Sequence, residues 1–416
     1  MRSLDSIIVP DAAQGTVGVA DRPVAVAVPQ TADEVRAVVE HAAQQNWRIV
    51  VHTTGRGVRQ TGPLADALLV RTGGLDGVRL DAPAQIARTG GGVCWSDLSA
   101  MCAPAGLAAV AIATPSVGVA GTVLAGGTGW LSRRHGLACE WLRAVELVTA
   151  DGQLVRADAE HERDLFWALR GGGGGLGVVT AMELALVAPR ALHAGFLGWP
   201  GTRAEEVLHA WRAWTQTLPR EVTSIARMVG GDHEPRVYVE AVCLLEASVA
   251  DGLLAPLRAL QPEDDTFAPA DVRALDTLHF DVLGDRPVHF DHLMLDDLPA
   301  EALDALLEAA GPGAGFPLLD VELRQLGGAL NDRTRNSGAL GSLDAEYGIV
   351  VAADPPLQAH ARETCDAVSP WAAGHIFVSF LGRSSVTDDV FTSDALRRLQ
   401  AVKSLYDPDG RFLWPL

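Results

Sequence analysis

Three glycine-rich stretches carry the residue types with which a protein can hold a phosphorylated ligand. The first, "TTGRGV" at Thr53–Val58, follows an apolar strand pattern and places Arg56 between Gly55 and Gly57. Glycine lets successive backbone N–H groups turn toward one anionic oxygen, so this stretch predicts an anion-binding loop. The second, Ala113–Trp130, has small residues at almost every position, so backbone can approach a large planar or phosphorylated ligand. A buried Gly/Ala-rich hairpin is the alternative interpretation of the second stretch.

The third stretch, "ALRGGGGGLGVVTAMELAL", places Gly172, Gly174 and Gly177 at the spacing of a dinucleotide-binding motif. In a Rossmann fold that motif follows a strand and opens a helix. Here the glycines follow the helical pattern "HERDLFWALR" and open an apolar strand pattern. We therefore do not expect a nicotinamide-binding Rossmann site.

Two predicted strands carry side chains suited to proton transfer or substrate binding. In "VHFDHLMLDD", strand alternation points His289 and Asp291 to one face and His292 to the other. His289 or Asp291 is a candidate general base, with a structural role as the alternative. Two ligands on one strand do not make a metal site, so no metal is expected. In "VELRQLGG", Glu322 and Arg324 share a face and form either a substrate-binding pair or a structural ion pair.

The elements that must position these residues predict an α+β fold and not a regular doubly wound sheet. The segment "TADE" has the form of a capping box with Thr31 as N-cap. The turn "TADG" at Thr149–Gly152 joins two alternating apolar runs and predicts a hairpin. The other predicted helices are Val35–Gln45, one capped by Ser96, Ala204–Leu218, Leu254–Leu260 and Pro299–Ala310. The predicted strands are Val24–Val28, Arg48–His52, Val222–Val229, Val237–Leu244 and Gly315–Leu323.

Length and composition restrict the class of protein. A chain of 416 residues exceeds what one core usually serves, so two domains are expected, with the second beginning near Ala191. Lys+Arg total 33 against 52 Asp+Glu, a net charge of −19, which disfavours nucleic-acid or anionic-membrane partners. A small molecule is the expected partner, and the oligomeric state is left open. The start lacks a signal-peptide pattern and no apolar run is long enough to span a membrane, so a cytoplasmic protein is expected.

In their order, these segments resemble the FAD-linked oxidases of the berberine-bridge-enzyme type, in the vanillyl-alcohol-oxidase-like superfamily. The resemblance rests on "TPSVGVAGTVLAGGTGWLSRRHGLACEWLRAVELVTADG", "DLFWALRGGGGGLGVVTAMEL" and "LYDPDGRF", and it extends over nearly the whole chain. It implies a PCMH-type FAD-binding domain at residues 1–190, completed by residues 385–416. It also implies a substrate domain at residues 191–384, with an antiparallel sheet flanked by helices.

The resemblance assigns site residues by position, and it implies that backbone amides hold the FAD phosphates. The FAD-binding positions are Thr54, Gly55, Arg56, Gly57 and Val58; Thr114, Pro115, Ser116, Val117, Gly118, Gly121 and Thr122; Gly126, Gly127 and Leu131; and Gly177 and Val179 at the adenine end. Tyr406 is expected to approach the flavin from the C-terminal tail and is a further catalytic candidate, beside His289 and Asp291. Arg324, Phe377 and Ser379 are the substrate-binding candidates.

The sequence departs from the family pattern at the positions that attach the flavin. Arg56 stands where many relatives have the attaching histidine, and Thr114 stands where bicovalent relatives have a cysteine. We therefore expect non-covalently bound FAD, with attachment through His52 as the less favoured alternative. Arg56 either pairs with the pyrophosphate or the reduced flavin, or points to solvent. Phe377 and Ser379 occupy a segment that in relatives often supplies a tyrosine base.

The resemblance predicts an FAD-dependent oxidase or dehydrogenase that takes hydride from a small molecule, with a secondary metabolite as the favoured substrate. A redox-neutral FAD-containing cyclase is the first alternative, because the attachment residues and the tyrosine are missing. A non-catalytic binding protein is the second. The complete set of glycine loops argues that FAD still binds.

Overall fold

The computed structural model describes residues 2–9, 22–55, 64–111, 114–231, 234–280, 288–311, 316–332, 338–376 and 390–413. Its strands are β1 Ile8–Val9, β2 Ala25–Ala27, β3 Arg48–His52, β4 Ala67–Arg71, β5 Val78–Asp81, β6 Ile86–Gly90, β7 Leu142–Val148, β8 Leu154–Asp158, β9 Val178–Ala185, β10 His193–Pro200, β11 Val222–Val229, β12 Arg236–Cys243, β13 Asp264–Asp265, β14 Ala268–Pro269, β15 His289–Leu295, β16 Asp320–Gln325 and β17 Tyr347–Ala353. Its helices are α1 Leu4–Ile7, α2 Ala32–Gln44, α3 Trp95–Cys102, α4 Val119–Leu124, α5 Ser132–His135, α6 Arg163–Leu169, α7 Ala204–Thr215, α8 Ala247–Arg258, α9 Ala274–Thr277, α10 Ala300–Ala310, α11 Gln358–Ala367 and α12 Ser393–Tyr406. The predicted α+β fold is confirmed.

The first sheet has the order β1-β2-β4-β3, and β2, β4 and β3 run parallel. Helix α2 packs on it through apolar residues such as Val35 and Val39. Thr31 caps this helix as predicted, since its hydroxyl accepts from the Glu34 amide at 3.2 Å. The Glu34 carboxylate accepts instead from Arg2 and from the Gln30 amide, so the reciprocal half of the predicted capping box does not form.

The second sheet is antiparallel, in the order β5-β6-β9-β7-β8, and the predicted hairpin at Thr149–Gly152 joins β7 to β8. Helix α3 begins two residues earlier than expected. Its N-cap is Cys94 and not Ser96, because the Asp97 carboxylate accepts from the Cys94 amide at 3.2 Å and so fixes the helix start there.

The third sheet is antiparallel, in the order β13-β10-β12-β11-β16-β17-β15, with β14 beside β10. Helices α7, α8, α10 and α11 cover one face and bury residues such as Trp211 and Val351 between helix and sheet. The opposite face contributes Ile225 and Val350 to the same core as Val119 of α4. This second face therefore lies against the part of the chain that carries the glycine stretches.

Two predicted elements have different bounds in the structure. The strand predicted at Gly315–Leu323 is found at Asp320–Gln325, because Pro317 has no amide hydrogen for a ladder and restricts the residue before it. The helix predicted at Leu254–Leu260 already begins at Ala247, and so extends over two further turns on its N-terminal side.

The C-terminal segment returns to the first sheet. The Ile49 amide donates to the Arg411 carbonyl at 2.7 Å, and the Leu413 amide donates to the Ile49 carbonyl at 2.8 Å. These bonds agree with a tail that completes the first part of the chain. The domain bounds themselves, 1–190 with 385–416 and 191–384, stay predictions.

Arg133 ties the glycine-rich part of the chain to the third sheet. Its side chain on α5 is buried, and its Nε donates to the Val222 carbonyl at 2.7 Å while its Nη1 donates to the Leu326 carbonyl. Val222 opens β11, and Leu326 directly follows β16. One buried guanidinium thus holds two central strands at a set distance from α5.

Replacing this guanidinium should destabilise the fold. We expect Arg133→Met to lower the free energy of unfolding by about 3 kcal/mol, since hydrogen bonds from a charged donor each contribute about 1.5–3 kcal/mol. Arg134→Met is the control: Arg134 is exposed and pairs with Glu221, so its loss should cost less than about 1 kcal/mol. Urea unfolding of both variants measures the difference, and equal midpoints would contradict the assignment.

Candidate functional site

The first glycine loop begins where β3 ends. Thr53 lies at its base, where its hydroxyl is 2.9 Å from the Thr72 hydroxyl and 3.2 Å from the Gly91 carbonyl oxygen. Gly55 has a φ of +81°, which favours glycine, and nothing lies within 4 Å of the place its Cβ would take. The predicted residues Arg56, Gly57 and Val58 lie outside the described residues.

The second glycine stretch packs directly on this loop. A Cβ on Gly118 would lie 2.8 Å from the Thr53 side chain, so only glycine allows this approach. Before it, the Pro115 carbonyl accepts from the Ser96 amide at 3.0 Å, which fixes the segment that holds Thr114 and Ser116 against α3. The predicted positions of the first loop and the second stretch are therefore neighbours.

The third glycine stretch meets the second at the far end of α4. The Gly173 amide donates to the Leu124 carbonyl at 2.9 Å. Gly126 and Gly127 accept bonds of 2.9 Å from Cys139 and Ala138, which set the turn before the buried Leu131. At the end of the run, Gly177 leads into β9 with Val179, where a Cβ would lie 2.5 Å from the Val148 carbonyl oxygen.

We call the three segments together, Thr53–Gly55, Thr114–Gly127 and Gly171–Gly177, the glycine cradle. Within it, a Cβ on Gly121 or on Gly174 would meet no atom within 4 Å, and both residues are exposed. The Thr122 hydroxyl accepts from Trp95 Nε1 at 3.2 Å and donates to the Gly118 carbonyl at 2.9 Å, which braces the first turn of α4. The cradle is thus rigid at its contacts and open along a backbone surface that a ligand can approach closely.

The face of the third sheet that lies toward the cradle carries a buried ion network. Arg227 on β11 donates to Glu240 at 2.8 Å and to Asp320 at 2.5 Å. On β16, Arg324 donates to Glu322 at 2.7 Å, which confirms the predicted pairing of these two side chains. All except Arg324 are almost fully buried, so each charge depends on its partner.

His279 joins the two halves of this network. Its Nδ1 is 2.8 Å from Glu240, and its Nε2 is 3.4 Å from Glu322. Burial alone lowers the pKa of His279, but Glu322 and Glu240 outweigh it and raise the pKa to about 9. Burial raises the pKa of Asp320 to about 7, although Arg227 opposes the shift. Burial also disfavours ionised Glu322, but Arg324 and His279 lower its pKa well below the usual range.

The structure places the two predicted base candidates of β15 on the helix-covered side of the sheet. His289 and Asp291 share a face, but that face is turned toward α11, since both pair in register with residues of the helix-covered side of β17. Asp291 also lies 3.9 Å from Arg362 of α11. His292 instead shares the face of Glu322 and Arg324, and burial with nearby Arg324 lowers its pKa to about 4. The face that carries the ion network therefore holds His292 and neither predicted base.

A narrow cavity lies between this face and the segment that follows the cradle. Arg324 and Ile225 line it from the sheet, and Thr128 and Trp130 line it from the segment that follows the cradle. Trp130 is buried, and its Nε1 has no hydrogen-bond partner within the described ranges. Arg324 is the one predicted substrate residue placed here, because Phe377 and Ser379 lie outside the described residues.

Tyr406 belongs to a different environment. Its hydroxyl donates to Glu162 near the start of α6, and its carbonyl accepts from the Ala150 amide in the β7–β8 turn. Burial, together with the bond to Glu162, raises the pKa of Tyr406 well above that of a free phenol. These contacts do not bring Tyr406 to the ion network, and its catalytic role beside the flavin stays a prediction.

Sequence reasoning missed Arg227, Glu240, Asp320 and His279. For the strand residues a signal exists, since "VTSIARMV" holds one cation in an apolar strand and "DVELRQ" places charges at alternate positions. Such charges are almost never fully buried without partners. His279 lies outside any strand or long helix pattern, and nothing in the sequence marks it.

Comparison with known proteins identifies the ligand class of the cradle. Residues 23–158 match the family described as FAD binding domain. The chain carries an FAD-binding domain. It is 27% identical over 412 residues to (R)-6-hydroxynicotine oxidase of Paenarthrobacter nicotinovorans. The aligned region covers 94% of this chain and 90% of that protein. It is 32% identical to the FAD-linked oxidoreductase easE of Arthroderma benhamiae, but over only 55% of this chain and 50% of that protein.

Solved structures show the same fold over nearly the whole chain. The structure of 6-hydroxy-D-nicotine oxidase from Arthrobacter nicotinovorans matches with a TM-score of 0.85 and 24% identity, over 98% of both chains. Berberine bridge enzyme from Eschscholzia californica matches with a TM-score of 0.81 and 19% identity, over 96% of this chain and 90% of that one. The predicted resemblance to FAD-linked oxidases of the berberine-bridge-enzyme type is confirmed.

The residues present fit FAD. The cradle offers backbone with free space at Gly121 and Gly174. Trp130, whose buried Nε1 has no hydrogen-bond partner within the described ranges, is among the residues that line the nearby cavity. Within the described ranges there is no group of His, Cys, Asp and Glu that could hold a metal ion. No helix in those ranges is both long and apolar enough to cross a bilayer.

His279 makes the stability of this site pH-dependent. Its pKa in the folded protein, about 9, exceeds the ordinary value of 6.5, so its stabilisation is complete below pH 6.5 and is lost as pH rises through about 9. The excess stability of the wild type over His279→Gln should therefore shrink by up to about 3 kcal/mol across this range. Urea unfolding at several pH values measures it. A difference in stability that is independent of pH for His279→Gln would refute the ion network.

Proposed function

We propose that this protein is an FAD-dependent oxidoreductase, an oxidase or dehydrogenase, that takes hydride from a small organic molecule. The observation that carries the proposal is the glycine cradle, a backbone surface open at Gly121 and Gly174 in the part of the chain on which the ion-paired sheet packs. When bound, FAD supplies the hydride acceptor. The relatives compared above are oxidases and oxidoreductases by name, which favours oxidation over redox-neutral cyclisation. A secondary metabolite as substrate remains a proposal by analogy.

Arg324, Glu322 and His292 are the residues we assign to the substrate. They share the sheet face that lies toward the cradle, and Arg324 lines the cavity itself. Glu322 is an ionised acceptor because Arg324 and His279 hold its pKa low, and His292 is neutral because burial lowers its pKa. Together they offer one cation to an electron-rich substrate group and two acceptors to a hydroxyl or amine hydrogen.

The sheet contributes orientation and exclusion of water. Arg227, Glu240 and Asp320 are buried on the same sheet face beside the groups assigned to the substrate, and they connect to Glu322 through His279. Because each charged group is already paired, the network needs little rearrangement when a substrate arrives, and such preorganisation favours a reaction that develops charge.

Non-covalent attachment of FAD follows from Arg56 and Thr114 and is tested by acid precipitation. We expect a yellow protein whose FAD passes entirely into the supernatant, as measured by absorbance and fluorescence. Flavin that stays on the precipitated polypeptide would contradict the proposal and point to another attachment residue, such as His52. A colourless protein that also takes up no added FAD would overturn the proposed function.

Filling the open space at Gly121 should block the cofactor without harming the fold. Leucine is a good helix former, so Gly121→Leu should leave the unfolding midpoint of the flavin-free protein unchanged or slightly raised. The Kd for FAD should rise at least about tenfold, measured by quenching of flavin fluorescence. Gly252→Leu on α8 is the matched control, since its Cβ also meets no atom within 4 Å. Equal FAD affinity in both variants would place the cofactor elsewhere.

A further inference from the structure

Lys403 is the only lysine in the sequence, and the other 32 of its 33 Lys and Arg residues are arginines. It lies in the last turn of α12, and its side chain is only 17% exposed. A guanidinium places its donors in one plane, whereas an ammonium directs three donors to the corners of a tripod. The position therefore suits acceptors that converge from three directions.

Three acceptors do converge on the Lys403 ammonium. Nζ donates to the Gly175 carbonyl at 2.5 Å, to Asp407 Oδ2 at 2.6 Å and to the Phe412 carbonyl at 2.9 Å. The same Asp407 carboxylate, itself buried, accepts from the amides of Arg411 and Phe412, both at 2.8 Å. Burial lowers the pKa of Lys403, and Asp407 opposes that shift. Every ammonium donor is thus used within the described structure.

The first of these acceptors belongs to the glycine cradle. Gly175 has a φ of +85°, and Gly171 and Gly173 also have positive φ, so the run has no regular ladder of its own to hold it. Leu399 lies one turn earlier on α12, and a Cβ on Gly172 would come within 2.7 Å of its Cδ2 atom. Helix α12 therefore holds this segment both by contact and through Lys403.

The third acceptor leads to the other end of the cradle. Phe412 and Ile49 form a parallel β-bridge, in which the Ile49 amide donates to the Arg411 carbonyl and the Leu413 amide donates to the Ile49 carbonyl. Ile49 lies in β3, which runs directly into Thr53. A continuous set of bonds thus joins the Gly171–Gly177 segment to the Thr53–Gly55 segment through Lys403.

We propose that Lys403 is a positioning residue for FAD, which sets the spacing between the first and third segments of the glycine cradle. The inference rests on the proposed function. In this proposal Lys403 does not contact the flavin, yet part of the affinity for FAD depends on it. It also means that FAD and the tail stabilise one another, since a cofactor that bridges the two segments holds the tripod closed.

A pair of variants separates this role from simple ion pairing. Asp407→Asn removes the buried charge but keeps Lys403 on Gly175 and Phe412, whereas Lys403→Met with Asp407→Asn removes these bonds too and leaves no unpaired charge. Relative to Asp407→Asn, the double variant should bind FAD at least about tenfold more weakly by fluorescence quenching. The unfolding midpoints of the two flavin-free proteins should be similar. Equal FAD affinity in the two would overturn the inference.

Amine labelling tests the wild-type protein and decides the question if the variants do not fold. Because Lys403 carries the only side-chain amine, its acetylation is read directly by peptide mass spectrometry, with the N-terminal amine as internal reference. We expect acetylation of Lys403 to slow several-fold when FAD is added to the flavin-free protein. An unchanged rate with bound FAD would overturn the inference alone, whereas failure of the wild type to bind FAD would overturn the proposed function.

Discussion

Close backbone packing at Gly91 and Gly118 is the constraint on which the rest of the structure depends. A Cβ at Gly91 would lie 2.0 Å from the Val179 carbonyl oxygen, and one at Gly118 would lie 2.8 Å from the Thr53 side chain. These approaches bring β9, the first glycine loop and the start of α4 into one small space. Stretches separated by more than a hundred residues therefore share one ligand surface, which is made of backbone and not of side chains.

The face of the third sheet that lies toward the cradle is lined by charged side chains and not by backbone. The third sheet presents Arg227, Glu240 and Glu322 on the face that lies toward the cradle, where an unpaired charge would be costly. Pairing through His279 makes these charges tolerable and also holds them in place. A backbone-lined surface thus lies in the part of the chain on which a charge-lined sheet face packs. The proposed function assigns the first to the cofactor and the second to the substrate, an arrangement suited to hydride transfer.

Long-range polar contacts hold the parts of this arrangement in place. Arg133 donates to backbone carbonyls at the ends of two sheet strands, and Lys403 joins the C-terminal tail to the third segment of the cradle. In both cases a single, largely buried cation donates to carbonyl oxygens of two segments that are distant in the sequence. The geometry of the site therefore depends on residues far from it in sequence, which alter its spacing without lining it.

The sequence by itself determined the local elements and the cofactor class. Strand Arg48–His52, the Thr31 cap, the hairpin at Thr149–Gly152 and the rejection of a Rossmann site all follow from patterns read over a few residues, and the order of the glycine stretches indicated FAD. Only the tertiary structure decided which face of β15 lies on the side of the ion network, which is the face of His292 and not that of His289 and Asp291. It alone also showed that His279 closes the ion network. The physical reason is that alternation along a strand fixes which residues share a face, whereas the side on which each face is covered depends on helices and strands distant in the chain.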